Sequence, residues 1–147
     1  MKGVDVSESE FNGVVEAYRR ALDAFVKGDS GPVAELFSRR DDVTLANPLG
    51  PPRVGWVDVE KAIAEAAANF TDGSIRCEEV TRYSTADLGY VVQLERCQLQ
   101  LAGSDDLVPS SLRATMIFRR EGDTWKVAHR HADPITTARP ISTVIDR

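Results

Sequence analysis

Residues Arg113 to Pro134 read RATMIFRREGDTWKVAHRHADP, two alternating runs separated by Glu121-Gly122-Asp123 and closed by a proline. Alternation at period two marks strands that turn one face to a core, and a short break containing glycine marks a hairpin. In the second run Trp125, Val127, His129 and His131 share one face, and Lys126, Ala128, Arg130 and Ala132 share the other. Trp125 and Val127 are the apolar pair, so the odd face is expected to be interior, with both histidines of the chain pointing into it. In the first run Leu112, Ala114, Met116 and Phe118 form the apolar face. Arg113, Thr115, Ile117 and Arg119 form a polar face that an enclosed site could still use.

Working outward, extended runs are predicted at about 74–83, 89–101, 110–120 and 124–132, with turns at TADLG, AGSDD and EGD, which suits an antiparallel meander. The front half is helical. Ser7-Glu8-Ser9-Glu10 has the form of a capping box, and Phe11, Val14, Val15, Tyr18, Leu22, Phe25 and Val26 follow near helical period, ending at Gly28. Pro32 suits the first turn of a short second helix, with Val33, Leu36 and Phe37 on its inner face. A short strand at Val43 to Ala46 leads into NPLGPPRVG, Asn47 to Gly55, where three prolines and two glycines are expected to exclude regular structure. Asp58 is placed to cap a third helix reaching about Phe70. Helices followed by a run of strands predict a single α+β domain over 1–147, with its core at about 8–134 and a tail at 135–147. Its sheet is expected to be a curved, cone-shaped antiparallel one, with three N-terminal helices enclosing a pocket.

The composition excludes several classes. With 42% hydrophobic and 28% charged residues the chain is an ordinary globular one. A net charge of −5, with the arginine pairs Arg19-Arg20, Arg39-Arg40 and Arg119-Arg120 dispersed among acids, argues against nucleic acid as a partner. The Arg119-Arg120 pair flanks a turn and is expected to be solvated. The opening MKGVDVSESE has no apolar signal core and no membrane-length run follows, so neither membrane insertion nor export is expected and a cytoplasmic location is favoured. Cys77 and Cys97 lack metal or redox spacing and read as buried thiols. A hairpin turning near Asp87 would set them opposite each other.

The helix-helix-strand-helix order, VVEAYRRALDAFVKGDS at 14–30, NPLGPPRVG at 47–55 and the ending at 113–134 together resemble the SnoaL-like branch of the nuclear transport factor 2-like and ketosteroid isomerase-like superfamily. The resemblance covers nearly the whole chain, from about Val14 to Pro134. It implies the cone-shaped fold and a small-molecule pocket. The ending is also similar to the association domain of calcium/calmodulin-dependent protein kinase, an oligomerisation module. Ketosteroid isomerases use a helix-1 tyrosine and a second acid to bind an enolate oxygen, and an aspartate before a Pro-x-Gly turn as base. Tyr18 matches the tyrosine. Asn47 stands where the base would be, and an amide cannot accept a proton at neutral pH. Thr115 stands near the position of the second acid.

The candidate site follows. His129 and His131, about 7 Å apart on one strand face at roughly 3.4 Å per residue, are candidate acids or bases because imidazole titrates near neutral pH. Their bland reading is that of hydrogen-bonded interior residues supporting the sheet. A metal would need a third ligand, for which Glu95 is the one obvious candidate, and none is expected. Tyr18 is a candidate hydrogen-bond donor that also falls on the apolar face of helix 1. Arg113 is a candidate oxyanion anchor or an internal partner for Glu95. Gln93 and Glu95, on one face of their strand, and Asn47, Trp56 and Thr115 complete the candidate ligand contacts. Asn47 also suits the start of its turn, and Trp56 suits packing against helix 1. The function expected is small-molecule binding, with cofactor-independent acid and base catalysis of isomerase, cyclase, dehydratase or hydrolase type in view. A non-catalytic ligand-binding or oligomerisation domain is the alternative. No cofactor is expected, and pairing into a homodimer through the sheet is.

Overall fold

The computed structural model describes residues 6–146. Helix α1 (Val6–Phe25) already contains Ser7 to Glu10, so the expected capping box lies within the helix and not ahead of it. It buries Phe11, Val15, Tyr18, Ala21 and Leu22, the stripe expected from a 3.6-residue period. Past its end Gly28 takes φ 96°, the left-handed region where glycine carries no steric penalty. Helix α2 (Gly31–Leu36) follows with Pro32 in its first turn, and then strand β1 (Thr44–Ala46).

The proline-rich stretch is not wholly irregular. Arg53–Val54 form strand β2, paired antiparallel to β1 as Thr44↔Val54 and Leu45↔Arg53. Pro51 and Pro52 precede that ladder and interrupt none of its bonds, which is why a short edge strand is tolerated there. Helix α3 (Trp56–Ala67) starts one turn earlier than expected. Gly55 at φ 86° occupies its cap position, and Asp58 lies in the first turn, where a carboxylate favours the positive end of the helix dipole.

Strands β3 (Phe70–Ser84), β4 (Leu88–Leu101), β5 (Leu107–Glu121) and β6 (Thr124–Asp133) form the expected meander. The six strands lie in the order β2-β1-β6-β5-β4-β3, and β1 runs parallel to β6. The sheet is curved and unclosed, with the helices on its concave side. On β4 the odd residues Val91, Gln93, Glu95, Cys97 and Leu99 are all buried, while their even neighbours face outward. On β5 the buried set is Ala114, Met116 and Phe118. Phe11 of α1 lies against Phe118, with ring centroids 5.6 Å apart and nearly perpendicular, and against Trp125 at 5.4 Å. Tyr18 lies edge-on to Phe118 at 6.1 Å. These aromatic contacts fasten α1 to the middle of the sheet.

Three register shifts, each an extra residue on one strand, interrupt the ladders, at Thr71, Val80 and Ala128, and the last two revise the expected alternation. On β3 the pairing steps from Thr81↔Val92 to Glu79↔Gln93, leaving Val80 as the extra residue. Cys77 consequently pairs with Glu95 and Cys97 with Ile75, so the cysteines are not opposite each other, and both are free thiols. On β6 the pairing steps from Phe118↔Val127 to Ile117↔His129, leaving Ala128 as the extra residue. Before the bulge the odd residues Trp125 and Val127 face the core; beyond it the even residues Arg130 and Ala132 do. The expectation that both histidines point inward is therefore corrected. His129 and His131 lie on the outer face of the sheet, and His131 is exposed. Nor is the arginine pair at the β5–β6 turn solvated. Arg119 is held by Asp42, Glu121 and Ser38, and Arg120 by Glu10 and the carbonyl of Ala86.

No helix among the described residues is long and apolar enough to cross a membrane.

Candidate functional site

Between the helices and the concave face lies a cavity of about 270 Å³. Its wall is chiefly apolar: Leu22 and Phe25 from α1, Ile63 from α3, Leu45 from β1, and Leu99 and Leu112 from the sheet are among its residues. Helix periodicity sets the first three inward, and strand alternation the others. At the rim stand Asn47, Pro48 and Leu49, the turn that follows β1.

The floor is polar and tightly organised. Arg130 donates to Glu95 in a two-pronged pair, Nη1 to Oε2 at 2.9 Å and Nη2 to Oε1 at 2.7 Å. The Glu95 side chain is 2% exposed and that of Arg130 11%, so the pair is buried from both ends. Nη1 also approaches Met116 Sδ at 3.2 Å, and the guanidinium stands 5.8 Å from the centre of the Tyr18 ring. Gln93 donates from Nε2 to Glu95 Oε2 at 2.9 Å, and its Oε1 accepts from Arg19 Nε at 3.0 Å. Arg19 in turn reaches Glu79 at 2.9 Å. A continuous polar chain thus runs from Glu79 on β3 through Arg19 of α1 and Gln93 to the cavity floor.

These contacts fix the charge states. Burial by itself would raise the Glu95 carboxyl, but the Arg130 charge, with hydrogen bonds from Arg130 and Gln93, outweighs it and holds the group below the usual carboxylate range. Burial would lower Arg130, and the Glu95 charge holds it above the usual guanidinium range. Burial pushes the Tyr18 phenol up to about 12 despite the opposing Arg130 charge. Burial likewise pushes Cys77 and Cys97 up to about 11, aided by Glu95. At neutral pH the floor is a neutralised ion pair beside a protonated phenol and the protonated Cys97 thiol.

The structure brings only part of the candidate set together. Tyr18, Asn47 and Glu95 line the cavity, and Gln93 is fully buried one step behind Glu95. Trp56 packs against the core edge with Arg39 stacked on its ring at 4.2 Å, away from the cavity wall. Arg113 is not the partner of Glu95: its side chain is half exposed on the outer face and bound to Asp133 at 2.7 Å. Thr115 pairs with His131 on that same outer face. His129 Nδ1 lies 2.7 Å from Thr44 Oγ1, and burial, then the neighbouring His131, lowers its pKa below the usual histidine value. His131 Nε2 lies 3.4 Å from Asp133. No cluster of three or more metal-ligating side chains forms among the described residues.

Arg130 is the site residue that sequence reading misses, because strict alternation sets it on the outer face. A usable signal exists: Glu95 falls on an apolar strand face, a buried carboxylate needs a cation, and two strand arginines were within reach.

A curved, unclosed sheet with helices on its concave side is the fold shared with nuclear transport factor 2-like proteins. Within that class the chain belongs to the SnoaL-like domain family, whose model matches residues 14–136. Solved structures share the fold at low identity. A nuclear transport factor 2-like superfamily protein from Salmonella enterica has a TM-score of 0.74 at 14% identity, covering 90% of this chain and 94% of its own. A provisionally assigned dehydratase of the same superfamily from Streptomyces avermitilis has a TM-score of 0.72 at 24% identity, covering 88% and 96%. A provisionally assigned calcium/calmodulin-dependent protein kinase type II association domain from Thiobacillus denitrificans has a TM-score of 0.70 at 22% identity, covering 85% and 94%. No curated protein matches the sequence. At these identities the structural likeness concerns the fold alone.

Proposed function

We propose that the protein binds a small, mainly apolar molecule in the cavity and does so without catalysing its conversion. The observation that carries this reading is the state of the groups facing the cavity. Glu95 and Arg130 neutralise each other, while Tyr18 and Cys97 hold their protons well above neutral pH. A general acid or base works best with a pKa near the operating pH. The two side chains whose ordinary pKa would suit, His129 and His131, lie across the sheet from the cavity.

Ligand-observed NMR with tetralin, a two-ring hydrocarbon, tests the reading. Saturable binding is expected in the wild type, unchanged in His129→Ala and His131→Ala, and lost in Ala66→Leu, which fills the cavity from α3. Binding that survives Ala66→Leu unaltered would place the molecule elsewhere and defeat the proposal.

A second copy of the chain is the partner proposed for the outer face. Tyr83, Tyr90, Ile117, His129 and Thr44 lie opposite one another in successive strands, and Val54 ends the row. Tyr83 and Tyr90 are exposed, and the row is apolar over most of its length. Light scattering after chromatography is expected to give a dimer for the wild type and a monomer for Ile117→Glu.

A further inference from the structure

Within that binding reading, the geometry points to a narrower ligand class: an uncharged molecule of about two fused rings carrying a hydrogen-bond-accepting oxygen, which Asn47 holds at the cavity rim. Three independent features converge on it.

The first is size. A dry cavity of about 150 Å³ holds benzene. This one, at about 270 Å³, is somewhat less than twice as large, a volume that suits two fused rings better than four.

The second is charge. A carboxylate entering the cavity would meet a guanidinium already engaged on both of its outer nitrogens by Glu95, and would have to stand beside that buried carboxylate. An ammonium would face Arg130 in the same way. Either ion loses its hydration and gains no free opposite charge, because Arg130 and Glu95 already neutralise each other, so the wall and floor together select against charge.

The third is the fixed orientation of Asn47. It lies two residues beyond Leu45 on the cavity side of β1, and its Oδ1 accepts the backbone N–H of Leu49 at 3.0 Å. That bond uses the acceptor end of the amide to close the turn. The Nδ2 end has no hydrogen-bond partner among the described residues, so the rim presents a donor. A donor at the rim recognises a ketone, aldehyde or ether oxygen.

The test measures dissociation constants for four probes: 1-tetralone, tetralin, 2-naphthoate and a four-ring steroidal ketone. The wild type is expected to bind 1-tetralone about fivefold more tightly than tetralin, the worth of one neutral hydrogen bond. It should bind 2-naphthoate at least tenfold more weakly than 1-tetralone, and the steroid not at all. Asn47→Asp keeps the oxygen that accepts from Leu49 and removes the donor, so the ketone preference should vanish while tetralin still binds. Equal affinity of the wild type for 1-tetralone and tetralin would overturn the assignment of Asn47 and leave the binding reading standing. Tighter binding of 2-naphthoate, or any binding of the steroid inside the cavity, would overturn the charge or size argument in the same way. If neither tetralin nor 1-tetralone binds, the binding reading itself has failed. The wild-type comparison requires no variant to fold, and a thermal melt of Asn47→Asp shows whether its turn is intact.

Discussion

Glu95 and Arg130 are tolerated in the apolar cone only as a pair, because each alone would be an unpaired charge taken out of water. Glu95→Ala is therefore expected to lower the unfolding free energy by roughly 3–5 kcal/mol in denaturant titrations. The double variant Glu95→Leu/Arg130→Met should recover most of that loss, because it leaves no charge behind. The pair also sets an acid limit. Glu95 has its folded-state pKa below the unfolded value of about 4.3, so its contribution is fully present above that value and is lost as pH falls through the folded one. Denaturant midpoints measured downward from pH 5 should fall more steeply in the wild type than in Glu95→Gln. His129 behaves in the same sense nearer neutrality. Its lowered pKa means that stability begins to decline once pH drops below about 6.5, and an NMR titration should find its midpoint under that value. Of the residues read as candidates, Tyr18, Asn47 and Glu95 line the cavity, and a helical stripe and a turn signature had marked the first two as local patterns. The partner of Glu95 was not legible. Choosing Arg130 over Arg113 depends on strand register, which no single residue type encodes.

At the scale of elements, helices and the meander follow from period and punctuation, and their observed bounds differ from expectation mainly where strands run longer. Strand β5 begins at Leu107 although Pro109 lies within it. The bulges at Val80 and Ala128 are what the sequence does not announce, since both are unremarkable strand residues without a glycine to mark the kink. Contact between α1 and the sheet depends on a glycine of another kind. A Cβ at Gly89 would lie 2.5 to 2.9 Å from ring carbons of Phe11, so that the helix approaches β4 only because a side chain is missing there. Gly89→Ala should cost about 1–3 kcal/mol by overpacking, read as a lowered melting temperature. Phe11→Leu in the same chain should return part of the loss by opening space. A cost that Phe11→Leu does not change would mean that the backbone at Gly89, and not the ring above it, is the sensitive feature.

For the molecule as a whole, three helices before a four-strand meander leave few ways to cover one sheet, and the curved sheet with its helical layer was legible from that order together with the family resemblance. What fills the cavity was not, because the lining is assembled from every element and is nearly free of groups with a chemical signature. Apolar space enclosed within a fold also costs stability, through the protein contacts its wall lacks. Ala66→Leu is expected to raise the melting temperature by about 3 °C, the shift that roughly 1 kcal/mol brings in a chain of this size, while abolishing ligand uptake. Stability and binding should therefore move in opposite directions in that variant, which calorimetry on one sample can record. The bulge at Ala128 has a wider consequence. It acts on β6 as an insertion acts on a reading frame: every side chain upstream keeps its assignment to inside or outside, and every one downstream exchanges it. Losing the extra residue in this strand would turn Arg130 and Ala132 outward and His129 and His131 toward the cavity, with the rest of the strand upstream unchanged. A lineage carrying this fold can thus pass between a closed ion pair and titrating imidazoles by a single-codon length change, and two chains with the same histidine spacing can hold opposite chemistry in their cavities.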